Sequence, residues 1–370
     1  MTDRSDRDAA PVAALAGLLR GDRPATAADA GDADLIALAE QHGVGPLLAE
    51  CLRTAGQLPP ASELAAMSRR AAAVDAIRQS ELAGALAALR SHGVPVLVFK
   101  GAALAHTVYA RPDLRPRMDS DLLVPGQHRA SAHAALLARD YERVPQFTGD
   151  LVAYQAPYVI RRAGGIAHII DLHWRVANPQ QFGAVLDEAD LFAGAIDVPA
   201  LGAGARGPGP VHALLLACVH PVAHHGGAAR LIWSFDVHLL ASRLTAGEWD
   251  RFTALAVDRR VARVAAHGLA GAVEAFGTPV PARVTERLAG AAAGEATAKY
   301  LAPARRHIQT IWGDFRTLST WRDRWQLVQQ HAFPPRDYMR RVYAPASGQP
   351  LPILYARRMY RGALKWLART

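Results

Sequence analysis

Residues 94–124 read V-P-V-L-V-F-K-G-A-A-L-A-H-T-V-Y-A-R-P-D-L-R-P-R-M-D-S-D-L-L-V. The opening run, 94–99, is apolar and β-branched, the composition of a short buried strand. Lys100 and Gly101 end it, and residues 102–109 have helix-forming composition. A loop rich in proline and arginine then delivers Asp119-Ser120-Asp121 into a second apolar run, 122–124. Two acids at the head of a buried strand are costly unless they hold a partner or a metal. The chemistry is expected here.

Outward from this stretch, three helices precede it: 10–19, 32–52 with interruptions at Gly43 and Gly45, and 61–90. In the third, Leu64, Met67, Ala71, Val74, Ile77, Leu82, Leu86 and Leu89 recur at helical spacing. Downstream come a helix over 127–139 and a short strand over 141–144. Two β-rich runs, 158–162 and 166–174, then flank Ala163-Gly164-Gly165 and read as a hairpin. Asp171 lies near the end of its second arm. Residues 178–210 read as a short helix and a linker. Helices follow at 211–220, 228–244, 246–276, 282–301 and 304–330, then a proline-punctuated turn and a last helix over 354–367. The expected fold is α+β: a helical N-terminal cap (1–75), a small mixed-sheet core (76–200) and a mostly helical C-terminal domain (201–370). No period of repetition appears.

The chain has 370 residues and a net charge of +9. Charge of that sign raises nucleic acid as a partner. Lysine occurs only as Lys100, Lys299 and Lys365, and the Ala/Arg/Gly/Pro skew is that of a GC-rich genome, so nucleic acid is not the expected partner. Cys51 and Cys218 are the only cysteines, which excludes a disulfide framework and argues against a cysteine metal site. No apolar stretch reaches the ~18 residues of a membrane span. A cytoplasmic location is expected.

Residues two apart on a strand share a face, with about 6 to 7 Å between their Cα atoms. Asp119 and Asp121 therefore converge, and that spacing suits paired divalent cations. Oxygen ligands without cysteine point to Mg2+ or Mn2+. Asp171, from a later strand, either completes a metal site or takes a proton from an attacking hydroxyl. At the Lys100-Gly101 turn, glycine lets backbone approach a phosphate and the next helix offers free N–H groups.

The pattern F-K-G-A-A-L, R-P-R-M-D-S-D-L-L-V and I-D-L-H-W resembles the nucleotidyltransferase superfamily with a polymerase-β-like core. It is closest to a bacterial branch described as uncharacterised nucleotidyltransferases. The likeness extends through L-L-A-C-V-H, R-L-I-W-S-F-D-V and F-P-P-R-D-Y-M-R-R-V-Y, covering most of residues 90–360. It implies metal-dependent transfer of a nucleoside monophosphate, AMP first among them, from an NTP with release of pyrophosphate. It further implies that Asp119 and Asp121 hold the metals, that Asp171 is the third carboxylate and that Gly101 marks the phosphate turn. One position departs from the pattern: Ala102 follows Gly101 where the superfamily has Gly or Ser.

Lys100, Arg115 and Arg117 are candidates for phosphate binding. The competing reading for the arginines is ion pairing with the same aspartates. His173 is expected on the sheet face opposite Asp171, packed with Trp174. His220, His224 and His225 read as an ordinary helix C-terminus, with Pro221 breaking the helical spacing. Asp236 reads either as an acceptor-orienting group or as a structural hydrogen-bond partner. The tail arginines read as a solvated face. The acceptor is expected to be a small molecule, peptide or protein. Two rivals stand beside nucleotidyl transfer: kinase-like phosphoryl transfer from Mg-ATP, and an inactive nucleotide-binding interaction module. An RNA-directed transferase is a weaker third.

Overall fold

The computed structural model describes residues 3–367 apart from 147, 148, 150, 163, 164, 184, 227, 303–306 and 344–348. The architecture is mixed α+β. Helices α1 (Asp3–Arg20), α2 (Ala33–Gln41), α3 (Gly45–Thr54) and α4 (Glu63–Ser91) precede the sheet. Ser62 caps α4, its hydroxyl accepting from the Ala65 amide at 3.2 Å. Strand β1 (Leu97–Phe99) leads into α5 (Lys100–Thr107). Then come β2 (Asp119–Leu123), α6 (Arg129–Leu137), β3 (Glu142–Arg143), β4 (Gln155–Arg161) and β5 (Ala167–His173).

These five strands form one sheet in the order β1-β2-β5-β4-β3, with β2 and β5 parallel and the other pairs antiparallel. Strand alternation decides what each face carries. Val98, Leu122, Ile170 and Leu172 pack with Leu82, Leu86 and Leu89 of α4 and Ala132, Ala135 and Leu136 of α6. A buried polar chain crosses the same face, Ser120 Oγ lying 3.0 Å from His168 Nε2 and the Tyr141 hydroxyl 2.7 Å from His168 Nδ1. Burial holds His168 down at about 4, so this ring is neutral. The opposite face carries Leu97, Phe99 and Leu123 together with the acids. The hairpin β4–β5 forms as expected, with part of its turn, residues 163 and 164, outside the described residues.

The glycine-rich stretch after residue 178 differs from the expected linker. It holds α7 (Gln180–Gly183), α8 (Glu188–Ala193) and a two-stranded sheet of β6 (Ala195–Asp197) and β7 (Arg206–Pro208). Gly207 helps explain why: a Cβ there would sit 3.1 Å from the Val98 carbonyl oxygen and push the strands apart by a few tenths of an ångström, so glycine favours this close approach of β7 to β1.

The rest is helical: α9 (Pro210–His225), α10 (Leu231–Ala241), α11 (Ala246–Asp258), α12 (Ala262–Phe276), α13 (Ala282–Ala291), α14 (His307–Thr317), α15 (Trp321–Ala332), α16 (Arg336–Tyr343) and α17 (Leu351–Leu367). The single helix expected over 246–276 is two, because Arg260 takes a left-handed φ of 56° between them. That expected over 304–330 is also two, Thr320 capping the second through the Asp323 amide at 3.0 Å. Conversely, α9 runs through Pro221 instead of ending before it. The missing N–H is outweighed by the burial of Val219 and Val222 on either side. One cluster of buried side chains joins α1–α3, the acid-bearing face of the sheet and α9–α13.

Packing between α9 and α12 depends on a gap at Gly268. A Cβ there would lie 2.8 Å from Cys218 Sγ and 3.0 Å from Cys218 Cα. Gly268→Ala is therefore expected to cost about 1–3 kcal/mol by overpacking. Urea denaturation checks this, and an unchanged midpoint would contradict it.

Candidate active site

Strand register sets the centre of the site. Asp121 of β2 stands directly opposite Asp171 of the parallel β5 and opposite Phe99 of β1. Asp119, two residues before Asp121, shares its face. The three acids line a cleft of about 950 Å3 between the sheet, α4, α9 and α10.

Lys100 occupies the turn between β1 and α5 with φ 52°, a left-handed backbone that costs a non-glycine residue about 1–2 kcal/mol. This conformation places Nζ 2.6 Å from Asp121 Oδ1, with both side chains largely buried. His173 Nε2 lies 2.8 Å from the same oxygen. His173 thus does not face away from Asp171, contrary to expectation. It is two residues on, and the two-residue period of a strand returns it to the same face. Its ring meets Phe99 edge-on at 4.9 Å.

The three carboxylates respond differently. Burial and the neighbouring Asp121 and Asp119 push Asp171 up to about 7. Asp119 is raised, by burial first and then by Asp121. Burial alone would raise Asp121, but Lys100 and His173 overcome it and hold the carboxyl well below the usual range. His173 is lowered to about 4, by burial and then by Lys100. Gln155 donates to Asp171 Oδ2 at 3.0 Å. Among the described residues no ion pair involves Asp119 or Asp171. Two largely buried carboxylates without a basic partner are the donor set that a hard divalent cation satisfies. Asp121, Asp171 and His173 offer ligand atoms within 4.8 Å of one another.

Both candidate arginines are held by other acids. Arg115 is buried against Asp236 of α10, with Nε and Nη2 donating at 2.9 and 2.8 Å, and the Tyr109 hydroxyl donates to the same carboxylate at 2.7 Å. Asp236 thus has the structural partners of its second reading. The Arg115 guanidinium also rests against Gly101, where a Cβ would come within 3.3 Å of it. Arg117 pairs with Asp75 of α4 at 2.6 Å. Neither pairs with Asp119 or Asp121. The first turn of α5 has no side-chain cap, so its amides stay available to an incoming group.

His220, His224 and His225, read from the sequence as an ordinary helix C-terminus, also line the cleft, as do Gln155, Arg230 and Trp233, which the sequence did not single out. The usable signal was the H-x-x-x-H spacing of His220 and His224, which puts two rings on one helical face.

A cleft of this size, with carboxylates converging from two parallel strands beside a lysine-glycine helix start, has the form of a phosphate-transfer site. The class is that of the nucleotidyltransferases, which take their nucleotidyl group from an NTP. The sequence profile of the family described as "Uncharacterised nucleotidyltransferase" matches residues 29–277, and the chain belongs to that family. No curated protein matches the sequence. Among solved structures, the antibiotic-resistance factor ANT(2'')-Ia, determined in solution, is similar at 15% identity and a TM-score of 0.36. The match covers 52% of this chain and 98% of that one. No helix among the described residues is long and apolar enough to cross a membrane.

Proposed function

We propose that this nucleotidyltransferase moves AMP from ATP, in a Mg2+- or Mn2+-dependent reaction, onto a hydroxyl or phosphate of a small molecule, peptide or protein. The observation that carries the reading is that Asp119, Asp121 and Asp171 line one cleft beside the Lys100-Gly101 turn, two of them in no ion pair among the described residues. Asp119 and Asp121 would hold the cation; Asp171 and His173 offer ligand atoms within 4.8 Å of that of Asp121, a set that does not include Asp119. The cation, when bound, neutralises phosphate charge and polarises the α-phosphorus.

Lys100 and the amides of α5 orient the triphosphate, and Arg115 and Asp236 fix the turn from behind. The acceptor oxygen forms a bond to the α-phosphorus, the bond to the β-phosphate oxygen breaks, and its electron pair leaves with pyrophosphate. Asp171 is placed to take the proton of an acceptor hydroxyl. The released product tests the reaction: pyrophosphate supports it, whereas ADP would support phosphoryl transfer.

The raised Asp171 gives a pH dependence of definite sign. Below about 7 the free protein holds a proton on Asp171 that a cation must displace. Mg2+ affinity, measured calorimetrically without nucleotide, is expected to fall about fivefold from pH 7 to pH 6 and to level off above pH 8. An affinity flat from pH 6 to 8 would contradict this.

A further inference from the structure

One wall of the cleft has no part in the transfer as described above. The last turns of α9 bring His220, His224 and His225 to it, with Trp233 of α10 alongside. The rings form one assembly. His220 lies 5.3 Å from His224 and 4.9 Å from His225 between ring centroids, and His225 stacks on Trp233 at 4.6 Å. His220 Nδ1 and His224 Nε2 are closed off from solvent without a hydrogen-bond partner. Those two nitrogens are turned away from the open space, but both rings line the cleft, and the atoms they present to it are available to a ligand.

The surroundings say which kind. Lys100 from α5, Asp121 from β2, His173 from β5 and Arg230 before α10 are the charged and titratable groups that act on these rings. Burial lowers all three, His224 to about 3, and Lys100 is the next cause for each, so they are neutral at pH 7. The three rings are not among the metal-ligating groups of the described residues, where Asp121, Asp171 and His173 form the one that qualifies. An anion fits instead. It would meet Lys100 and Arg230 with opposite charge and accept hydrogen bonds from the rings, and its field would draw protons onto them.

We propose that His220 and His224, together with Lys100, bind the two outer phosphates of the nucleoside triphosphate and hold the pyrophosphate product. They take the place of the hydroxyl that Ala102 does not supply at the phosphate turn. This rests on reading the cleft as a nucleotidyl-transfer site. Imidazoles suit the task because they gain charge as the polyanion arrives and lose it as pyrophosphate departs, so the product is not trapped.

The test is calorimetric titration of inorganic pyrophosphate, with Mg2+ present, into the wild-type chain, His220→Asn/His224→Asn and the milder His224→Gln. The double variant is expected to bind pyrophosphate at least tenfold more weakly, and His224→Gln to fall between. Repetition in buffers of different ionisation enthalpy is expected to show proton uptake by the wild type that the double variant lacks. Mg2+ titrated alone is expected to bind all three equally, which shows the acid site intact. Pyrophosphate affinity within twofold of wild type in the double variant would overturn this assignment alone and give the wall to the acceptor or the base. No binding by the wild type would overturn the nucleotidyl-transfer reading with it.

Discussion

Asp119→Ala is expected to lower pyrophosphate release about 1000-fold or more while leaving the fold intact. Asp119 is raised by burial and by Asp121 and forms no ion pair among the described residues, so its removal strips the site of charge without orphaning a cation. Loss of one preorganised electrostatic group at a reacting centre costs on the order of 100- to 1000-fold. Loss of cation binding with it takes the effect to the top of that range or past it. Asp121→Ala is expected to be as inactive but less stable, because Lys100 and His173 both lose the oxygen they share at 2.6 and 2.8 Å. Steady-state release of pyrophosphate, with circular dichroism as a control for folding, separates the two. Full turnover by either variant would contradict the proposed mechanism.

The largest stability effect is expected at Arg115. Arg115→Ala would leave Asp236 buried with the Tyr109 hydroxyl as its remaining hydrogen-bond donor. Breaking a buried pair from one side costs about 3–5 kcal/mol, whereas replacing both members with apolar side chains of similar volume is often neutral. Arg115→Ala is therefore expected to unfold at markedly lower urea, and Arg115→Met/Asp236→Leu to recover most of the loss. The double variant would still be impaired in transfer, since the guanidinium that rests against Gly101 is gone. A single variant within about 1 kcal/mol of wild type would show that the pair is not structural.

Local periodicity explains what was legible beforehand. D-S-D at a strand mouth and I-D-L-H-W in a hairpin arm both follow from the two-residue alternation of β-structure, and the register of β2 against β5 sets Asp121 opposite Asp171. The same alternation, counted correctly, places His173 with the acids. Pairings across long separations were not legible. Nothing local joins Arg115 to Asp236, 121 residues on, or Arg117 to Asp75. Residues 195–208 looked like a linker because small residues that permit close backbone contact are also those of loose loops. Pro221 hid the histidine wall: a proline rule for isolated helices was outweighed by apolar burial on α9.

The central claim is that Asp119, Asp121 and Asp171 direct attack at the α-phosphorus. It is tested most directly by incubating the chain with Mg2+, an extract supplying acceptors, and ATP labelled separately at the α- and γ-phosphates. The expected result is α-label on an acceptor and γ-label in pyrophosphate, both absent without divalent cation and in Asp119→Ala. Transfer of the γ-label with formation of ADP, or α-label transfer that persists in Asp119→Ala, would contradict it.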